Sequence, residues 1–377
     1  MTMAKPLSAA AELHANVAMP FEQAHAMPKS VYVSDAFLAQ EQRHVFAHDW
    51  VCAGCADALP GAGDYLTITI ADEPVIVLRV GAGQLRAMSN VCRYRMSTLL
   101  TSWGNTRSIV CPYHAWTYNQ DGTLRGAPAM GLNKAFCKDR IALPTLRAVD
   151  WLGWIMVTPN PDTPDPHIAL RDAGNLVGYL DMASYAETFR EEFRWATNWK
   201  VLAEDFMETY HLPICHAGTI GGSVDLMTMP CPEGMPAFNY HLIVKNDREP
   251  LSLAHSDNTT LQGDQRRITW LLSVYPALMI TLSPGYTWYL SLMPDGPGHV
   301  NVLFGGGMSS DWRADPQAGA HLAAVKALLD AVNIEDKGCV ERVYAGISAR
   351  LSSPGPLSHL ERPNFEFAQY LASRIPA

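Results

Sequence analysis

The chain is predicted to fold as a small all-β domain followed by an α+β domain with an antiparallel sheet and a long C-terminal helix. Three observations predict this. Apolar residues alternate with period two from Asp64 onward, short strands punctuated by Gly and Pro recur on both sides of a proline-rich linker, and a helical apolar stripe follows Asp315. Taken in order, Ser34 is placed to cap a helix over 34–46 whose apolar face is Phe37, Leu38, Val45 and Phe46. Leu66, Ile68 and Ile70 then alternate with Tyr65, Thr67 and Thr69. A turn at Ala71, Asp72, Glu73 and Pro74 leads into an apolar strand from Val75 to Leu78, closed by Gly81 and Gly83. Short strands continue to about Thr158, and Asn160 to Pro166 reads as a linker.

Beyond the linker a helical stretch is expected from Trp199 to His211. Strands follow over Tyr240 to Lys245, Thr269 to Val274, Met279 to Leu282, Thr287 to Met293 and Val300 to Phe304. Asp315 is expected to cap a helix with Pro316 at its first position and Leu322, Val325, Leu329 and Val332 as its buried stripe. The expected division is 1–44, an N-terminal helical segment packing on the second domain, then 45–160 as the all-β domain and 161–377 as the α+β domain.

Composition narrows the function. Lys and Arg number 28 against 37 Asp and Glu in 377 residues, a net charge of −9 spread along the chain. Nucleic acid and anionic membrane surfaces reward basic patches, so neither is expected as a partner. No segment holds the roughly 18 uninterrupted apolar residues of a membrane span, and the N-terminus lacks a signal peptide's apolar core, so a cytoplasmic protein is expected. Eight cysteines are too few and too scattered for a disulfide scaffold. Cys137, Cys215, Cys231 and Cys339 lack a partner at ligand spacing and read as small buried apolar residues. Cys52 and Cys55 form a C-x-x-C, but no second Cys/His pair follows at zinc spacing.

Two words carry chemistry. The first is NVCRYRMSTLL followed by SIVCPYHAWTY, with Cys92, then Cys111 and His114. A Rieske [2Fe–2S] centre takes two thiolates on one iron and two imidazoles on the other. The second is NWKVLAEDFMETYHLPICH, which brings Glu208, His211 and His216 together. Helix positions five apart point about 140° away from each other, so Pro213 is expected to kink the chain and bring His216 round to His211. Asp336 shares an i, i+4, i+7, i+11 stripe with Val340, Val343 and Ile347. A carboxylate facing a core needs a buried Arg or Lys, or a metal; two histidines seeking a third ligand favour the metal, in the two-histidine, one-carboxylate arrangement of non-haem Fe(II) oxygenases.

Both words resemble those of ring-hydroxylating oxygenase alpha subunits, from about Tyr32 to Arg374. The first half resembles their Rieske domain through Cys92, Cys111, His114, the flanking CPYHAWTY and Asp121-Gly122. It departs at Tyr94, where the family carries the first histidine ligand. Three outcomes are open there: a phenolate ligand, a labile cluster completed by water or another side chain, or a Rieske-shaped domain without a stable cluster. In the second half, Asn198-Trp199-Lys200, Glu204, Glu208, Tyr210, His211 and His216 match the family word, and Glu335-Asp336 matches the late aspartate. The resemblance implies an α+β helix-grip catalytic domain behind an all-β Rieske domain, with mononuclear Fe(II) held by His211, His216 and Asp336. It implies a [2Fe–2S] cluster at Cys92, Tyr94, Cys111 and His114. Glu208 takes the place of the family's bridge between one subunit's Rieske centre and its neighbour's iron in a head-to-tail trimer, with Asp205 as runner-up.

The resemblance further implies a terminal oxygenase that hydroxylates or oxidatively dealkylates a small organic substrate with O2 and electrons from a ferredoxin or flavin reductase, as a homotrimer or hetero-oligomer. Tyr286, Trp288, Trp270, Phe238 and Tyr240 lie on strands that can line its pocket. They suggest an aromatic substrate, although an aromatic cage also takes a methylated ammonium. His241 and His255 are expected nearer the surface. Two alternatives are an electron-transfer-deficient structural subunit silenced by Tyr94 and a helix-grip binding protein with structural iron. The complete His211, His216, Glu208 and Asp336 set speaks against both.

Overall fold

The computed structural model describes residues 7–223, 226, 230–247 and 249–377. The chain divides into two compact units: Phe46–Pro166, and the residues up to Val45 together with His167–Ala377.

The Phe46–Pro166 unit is all-β. Its larger sheet runs in the order β1 (Val51–Cys55), β10 (Trp154–Thr158), β9 (Thr145–Trp151), β4 (Leu85–Ser89), β3 (Glu73–Arg79), β2 (Asp64–Ile70) and β5 (Trp103–Asn105). The three remaining strands, β6 (Ile109–Val110), β7 (Thr117–Tyr118) and β8 (Leu124–Gly126), form a small second sheet. β2 and β3 pair from Tyr65↔Leu78 to Ile70↔Glu73 across a two-residue turn in which Ala71 and Asp72 both take positive φ. That turn's twist matches the twist of the strands it joins. The core under β3 and β4 holds Ile76, Leu78, Met88, Ile109, Trp116 and Tyr118, and it includes Cys92 and Cys111.

The other unit is a six-stranded antiparallel sheet gripped by helices. Its order is β11 (Ala186–Trp195), β16 (Val300–Met308), β15 (Tyr286–Pro294), β14 (Leu278–Leu282), β13 (Ile268–Val274) and β12 (Phe238–Val244). The five later strands fall where their alternation predicts. β11 was not anticipated, because AETFREEFRW carries five acidic or basic residues on an edge strand and so lacks a clean apolar period. The expected 34–46 helix starts at Ser34, whose hydroxyl accepts the Phe37 N–H, and its α-helical part ends at Glu41. One helix of 30 residues spans Ala318–Ile347. It begins later than expected: Gln317 occupies the cap, and the Asp315 carboxylate accepts the Gln317 N–H from outside the helix.

The Trp199–Met207 helix is tied to the N-terminal segment by a charge pair inside the core. Lys200 Nζ lies 2.8 Å from Glu41 Oε1 with both side chains essentially inaccessible to water. Trp199 Nε1 donates to Glu41 Oε2, the Lys200 ammonium sits over the rings of Tyr32, Phe37 and Trp199, and Asn198 Nδ2 donates to the Tyr32 carbonyl. Burying either ion alone is very costly, so the two side chains hold each other in place. Among the described residues no helix is long and apolar enough to cross a membrane.

Candidate functional site

The Trp199–Met207 helix ends at Glu208, whose backbone turns extended. The chain therefore breaks before the first histidine rather than at Pro213. Proline is tolerated in the first turn of a helix, and Pro213 instead helps start the short Leu212–Cys215 helix. His211 precedes that helix and His216 follows it, which brings the two imidazoles to the same side. Gly221 seals the turn. A Cβ there would lie 2.1 Å from the Leu212 carbonyl oxygen, and its N–H donates to the His216 carbonyl.

His211, His216 and Asp336 present one ligand atom each within 4.8 Å of one another. The two Nε2 atoms are 3.2 Å apart, and Asp336 Oδ1 lies 2.8 Å from His216 Nε2 and 3.9 Å from His211 Nε2. The opposite ring nitrogens each face a carboxylate: His211 Nδ1 is 2.6 Å from Glu208 Oε1, and His216 Nδ1 is 2.8 Å from Glu335 Oε2. Those contacts place the Nδ1 protons on the carboxylate side and leave the Nε2 lone pairs converging with Asp336 Oδ1, a buried oxygen without a partner in hydrogen-bond geometry. Three converging lone pairs repel unless a cation lies between them. The donor set thus fits a metal ion, and its N2O composition with open positions fits non-haem iron. No buried Arg or Lys takes the Asp336 carboxylate among the ion pairs of the described residues.

The surrounding carboxylates are held in different states. Burial lowers the basicity of His216, but the Asp336 and Glu335 carboxylates outweigh it and raise its pKa. Burial likewise works to raise Glu335, yet the Thr219 hydroxyl, 2.6 Å away, and His216 hold it below the usual range. Asp205 is pushed well above that range by burial and by the Asp336 and Glu208 charges. Glu208 folds back to accept the N–H groups of Tyr210 and His211. Glu208 and Asp205 open together onto a groove of about 370 Å³ whose wall includes Val201, Val340 and Val343. The predicted stripe is buried at Asp336 and Val340, but Val343 is 51% exposed on that groove.

The sheet register sorts the expected pocket residues. His241 pairs with Leu271, Leu271 with Thr281, Thr281 with Trp288 and Trp288 with Gly306, so these side chains share one face. Phe206, from the helix that leads to the metal ligands, packs on Trp288 at 5.6 Å. Tyr286 lies on the same face, two residues from Trp288. Phe238, Tyr240 and Trp270 point the other way, and Trp270 Nε1 donates to the Tyr179 hydroxyl there. His241 and His255 are both buried rather than superficial. Burial pushes His241 down to about 3, so it stays neutral. His241 Nε2 and Thr281 Oγ1 are buried without hydrogen-bond partners on this face. His255 instead pairs with Asp315 at 3.0 Å.

In the all-β unit the two cysteine loops have the same backbone form. Cys92 N–H donates to the Ser97 carbonyl and Cys111 N–H to the Trp116 carbonyl, five residues on in each case. Met96 and Ala115, each four residues after its cysteine, take positive φ and donate back to the cysteine carbonyl. This duplication is visible only in the fold, because the two loops share no sequence beyond C-x-Tyr. Burial raises the Cys111 thiol, but the Tyr113 and His114 amides, with Cys92 and Ser97, bring it below its ordinary value. The Tyr118 hydroxyl lies 3.3 Å from Cys92 Sγ, and His114 Nδ1 is buried without a partner. Cys92, Cys111 and His114 fit cluster ligands. Tyr94 stands in the same loop, stacked on Trp116 at 4.7 Å and edge-on to His114 at 5.1 Å.

The remaining cysteines differ from expectation. Cys137 is exposed, and Cys215 and Cys339, 124 residues apart, meet with their sulfurs 2.7 Å from each other. Their spacing gives no hint of that meeting, since it is made by the packing of one helix on another.

Comparison with known proteins agrees with this architecture. Residues 182–377 match the family model of the ring hydroxylating alpha subunit (catalytic domain), and residues 49–138 match that of the Rieske [2Fe-2S] domain. The glycine betaine monooxygenase oxygenase subunit of Chromohalobacter salexigens is 29% identical over 304 residues, which cover 80% of this chain and 64% of that protein. The chloroplastic choline monooxygenase of Arabidopsis thaliana is 26% identical over 364 residues, covering 93% and 82%. Among solved structures, the quaternary ammonium Rieske monooxygenase CntA with L-carnitine superposes with a TM-score of 0.80 at 20% identity, covering 99% of this chain and 100% of that one. Naphthalene 1,2-dioxygenase from Rhodococcus sp. gives 0.79 at 19%, covering 98% and 97%. With more than half of its length matched by the catalytic-domain model and a Rieske domain ahead of it, this chain belongs to the ring-hydroxylating alpha-subunit family.

Proposed function

We propose that this chain is the terminal oxygenase of a Rieske system that monooxygenates a small quaternary ammonium compound with O2 and electrons from a partner ferredoxin or flavin reductase. The observation that carries the reading is the convergence of His211 Nε2, His216 Nε2 and Asp336 Oδ1. Iron bound there supplies open coordination positions for the reduction of O2, and a [2Fe–2S] cluster at Cys92, Cys111 and His114 supplies single electrons.

The chain's own residues do the rest. Glu208 and Glu335 accept the two Nδ1 protons and so aim both imidazoles. Asp205 lies beside Asp336, its carboxyl held well above the usual range by burial first and then by the Asp336 charge. Glu208, joined to His211 and open to the groove, is assigned the bridging role toward an incoming electron donor, with Asp205 beside it. The named activities of the relatives move the substrate reading from an aromatic ring to a quaternary ammonium. Trp288, Phe206 and Tyr286 suit such a cation, because aromatic faces attract a charge that cannot donate hydrogen bonds.

A second reading is favoured by one observation. The Tyr94 ring stacks parallel on Trp116, an arrangement that a structural aromatic adopts without any metal. On that reading the chain is an electron-transfer-deficient subunit of a hetero-oligomer. Iron and acid-labile sulfide per chain, with low-temperature EPR after reduction, separate the two. Three irons, two sulfides and a rhombic signal support the oxygenase; one iron without sulfide supports the silent subunit. Turnover of glycine betaine, choline or carnitine with a reductase then tests the substrate class, and hydroxylation of aromatic compounds alone would overturn it.

A further inference from the structure

We infer that Cys215 and Cys339 are a reversible disulfide site that ties together the two elements carrying His216 and Asp336. Their sulfurs already face each other at 2.7 Å across 124 residues of chain, so a small approach brings them to the roughly 2.05 Å of an S–S bond. Cys215 immediately precedes His216, and Cys339 lies one helical turn beyond Asp336. Both are partly buried, so a small oxidant reaches them more readily than a protein thiol does. The pair is separate from Cys92 and Cys111, which the cluster would use.

The chemistry needs a hydroperoxide. One thiol reduces the O–O bond of hydrogen peroxide, becoming a sulfenic acid and releasing water. The other thiol attacks that sulfur, forms the S–S bond and releases a second water, so two thiols lose two electrons and two protons to one peroxide. A dithiol reverses the step. A centre that reduces O2 in the absence of substrate is a local source of peroxide; the inference rests on the proposed oxygenase reading for that source alone. The bond closes a long loop and restrains the Leu212–Cys215 helix against the Ala318–Ile347 helix, so it opposes the separation through which the metal leaves.

The test adds peroxide directly to iron-loaded protein, blocks remaining thiols with an alkylating reagent and maps linked peptides by mass spectrometry. A Cys215–Cys339 peptide that disappears with dithiothreitol, together with several-fold slower removal of iron by a chelator, is expected. Cys339→Ser and, as a second variant, Cys215→Ser should give neither effect while binding iron in the reduced state as the parent does. Full alkylation of both thiols after peroxide, or their conversion to sulfonic acids without a linked peptide, overturns the inference. A linked peptide with an unchanged chelation rate overturns the restraint on the metal. Because peroxide is supplied, an inactive oxygenase still forms the bond, and an active oxygenase that does not form it disproves only this site.

Discussion

At the His211–His216–Asp336 centre, side chains hold side chains: Glu208, Glu335 and Asp205 stand behind the three ligands. At the Cys92 and Cys111 loops the holding is done by the backbone, through paired turns that close on Ser97 and Trp116. The difference bears directly on Tyr94. A loop built from main-chain hydrogen bonds keeps its shape when one side chain changes, so exchanging Tyr94 should change the side chain offered there without disturbing the turn. A centre built from interlocked carboxylates and imidazoles has no such tolerance. Within the cysteine loops exposure divides the residues, since Cys92 is 2% and Cys111 3% exposed whereas Tyr94 is 43% exposed.

The comparison breaks most severely at Asp336→Ala. Mononuclear iron should be lost entirely while acid-labile sulfide is unchanged; stoichiometric iron retained outside the cluster would remove Asp336 from the site. Next comes Lys200→Met, which strands Glu41 in the core beside the helix leading to the ligands. A loss of about 3–5 kcal/mol in denaturant unfolding is expected, and adding Glu41→Leu should restore much of it.

A comparable effect appears in pH dependence. Burial raises the Glu204 carboxyl to about 7 from 4.5, against the Tyr32 hydroxyl and Lys200, which favour its charged form. The folded chain then binds a proton that the unfolded chain has released. The stability linked to this group is full below about pH 4.5 and falls by about 3 kcal/mol as pH rises through 7. Glu204→Gln should flatten that part of the stability profile; an unchanged profile would show that Glu204 is ionised in the folded state. Glu335→Gln should weaken iron binding about 10- to 100-fold without removing a ligand, because His216 loses the carboxylate that aims it. Tyr94→His sharpens the contrast at the smallest structural cost: unfolding should be unchanged while a Rieske spectrum strengthens. An unaltered spectrum would place Tyr94 outside the cluster.

The strands of the second unit were legible because one face of each is apolar and the turns between them carry Gly or Pro. β11 was not, since charged residues on both faces erase the period and its pairing with β16 is a tertiary choice. His211 and His216 were legible as residue types in a spaced word. Where the helix stops was not: Pro213 looked like the break, but the turn at Glu208 depends on that side chain capping Tyr210 and His211. The pocket face was hidden for a related reason. Alternation says that Tyr240 and His241 point opposite ways, but not which of them points at the helices.

Sequence alone thus determined the fold class and the residue types of the candidate site, because these are local words that no folding can rewrite. Tertiary structure decided which carboxyls burial pushes above their usual range, which aromatics share a face with His241 and which cysteines meet. Each of those depends on distances of a few ångströms between segments far apart in the chain, and such distances exist only once the helices have packed on the sheet.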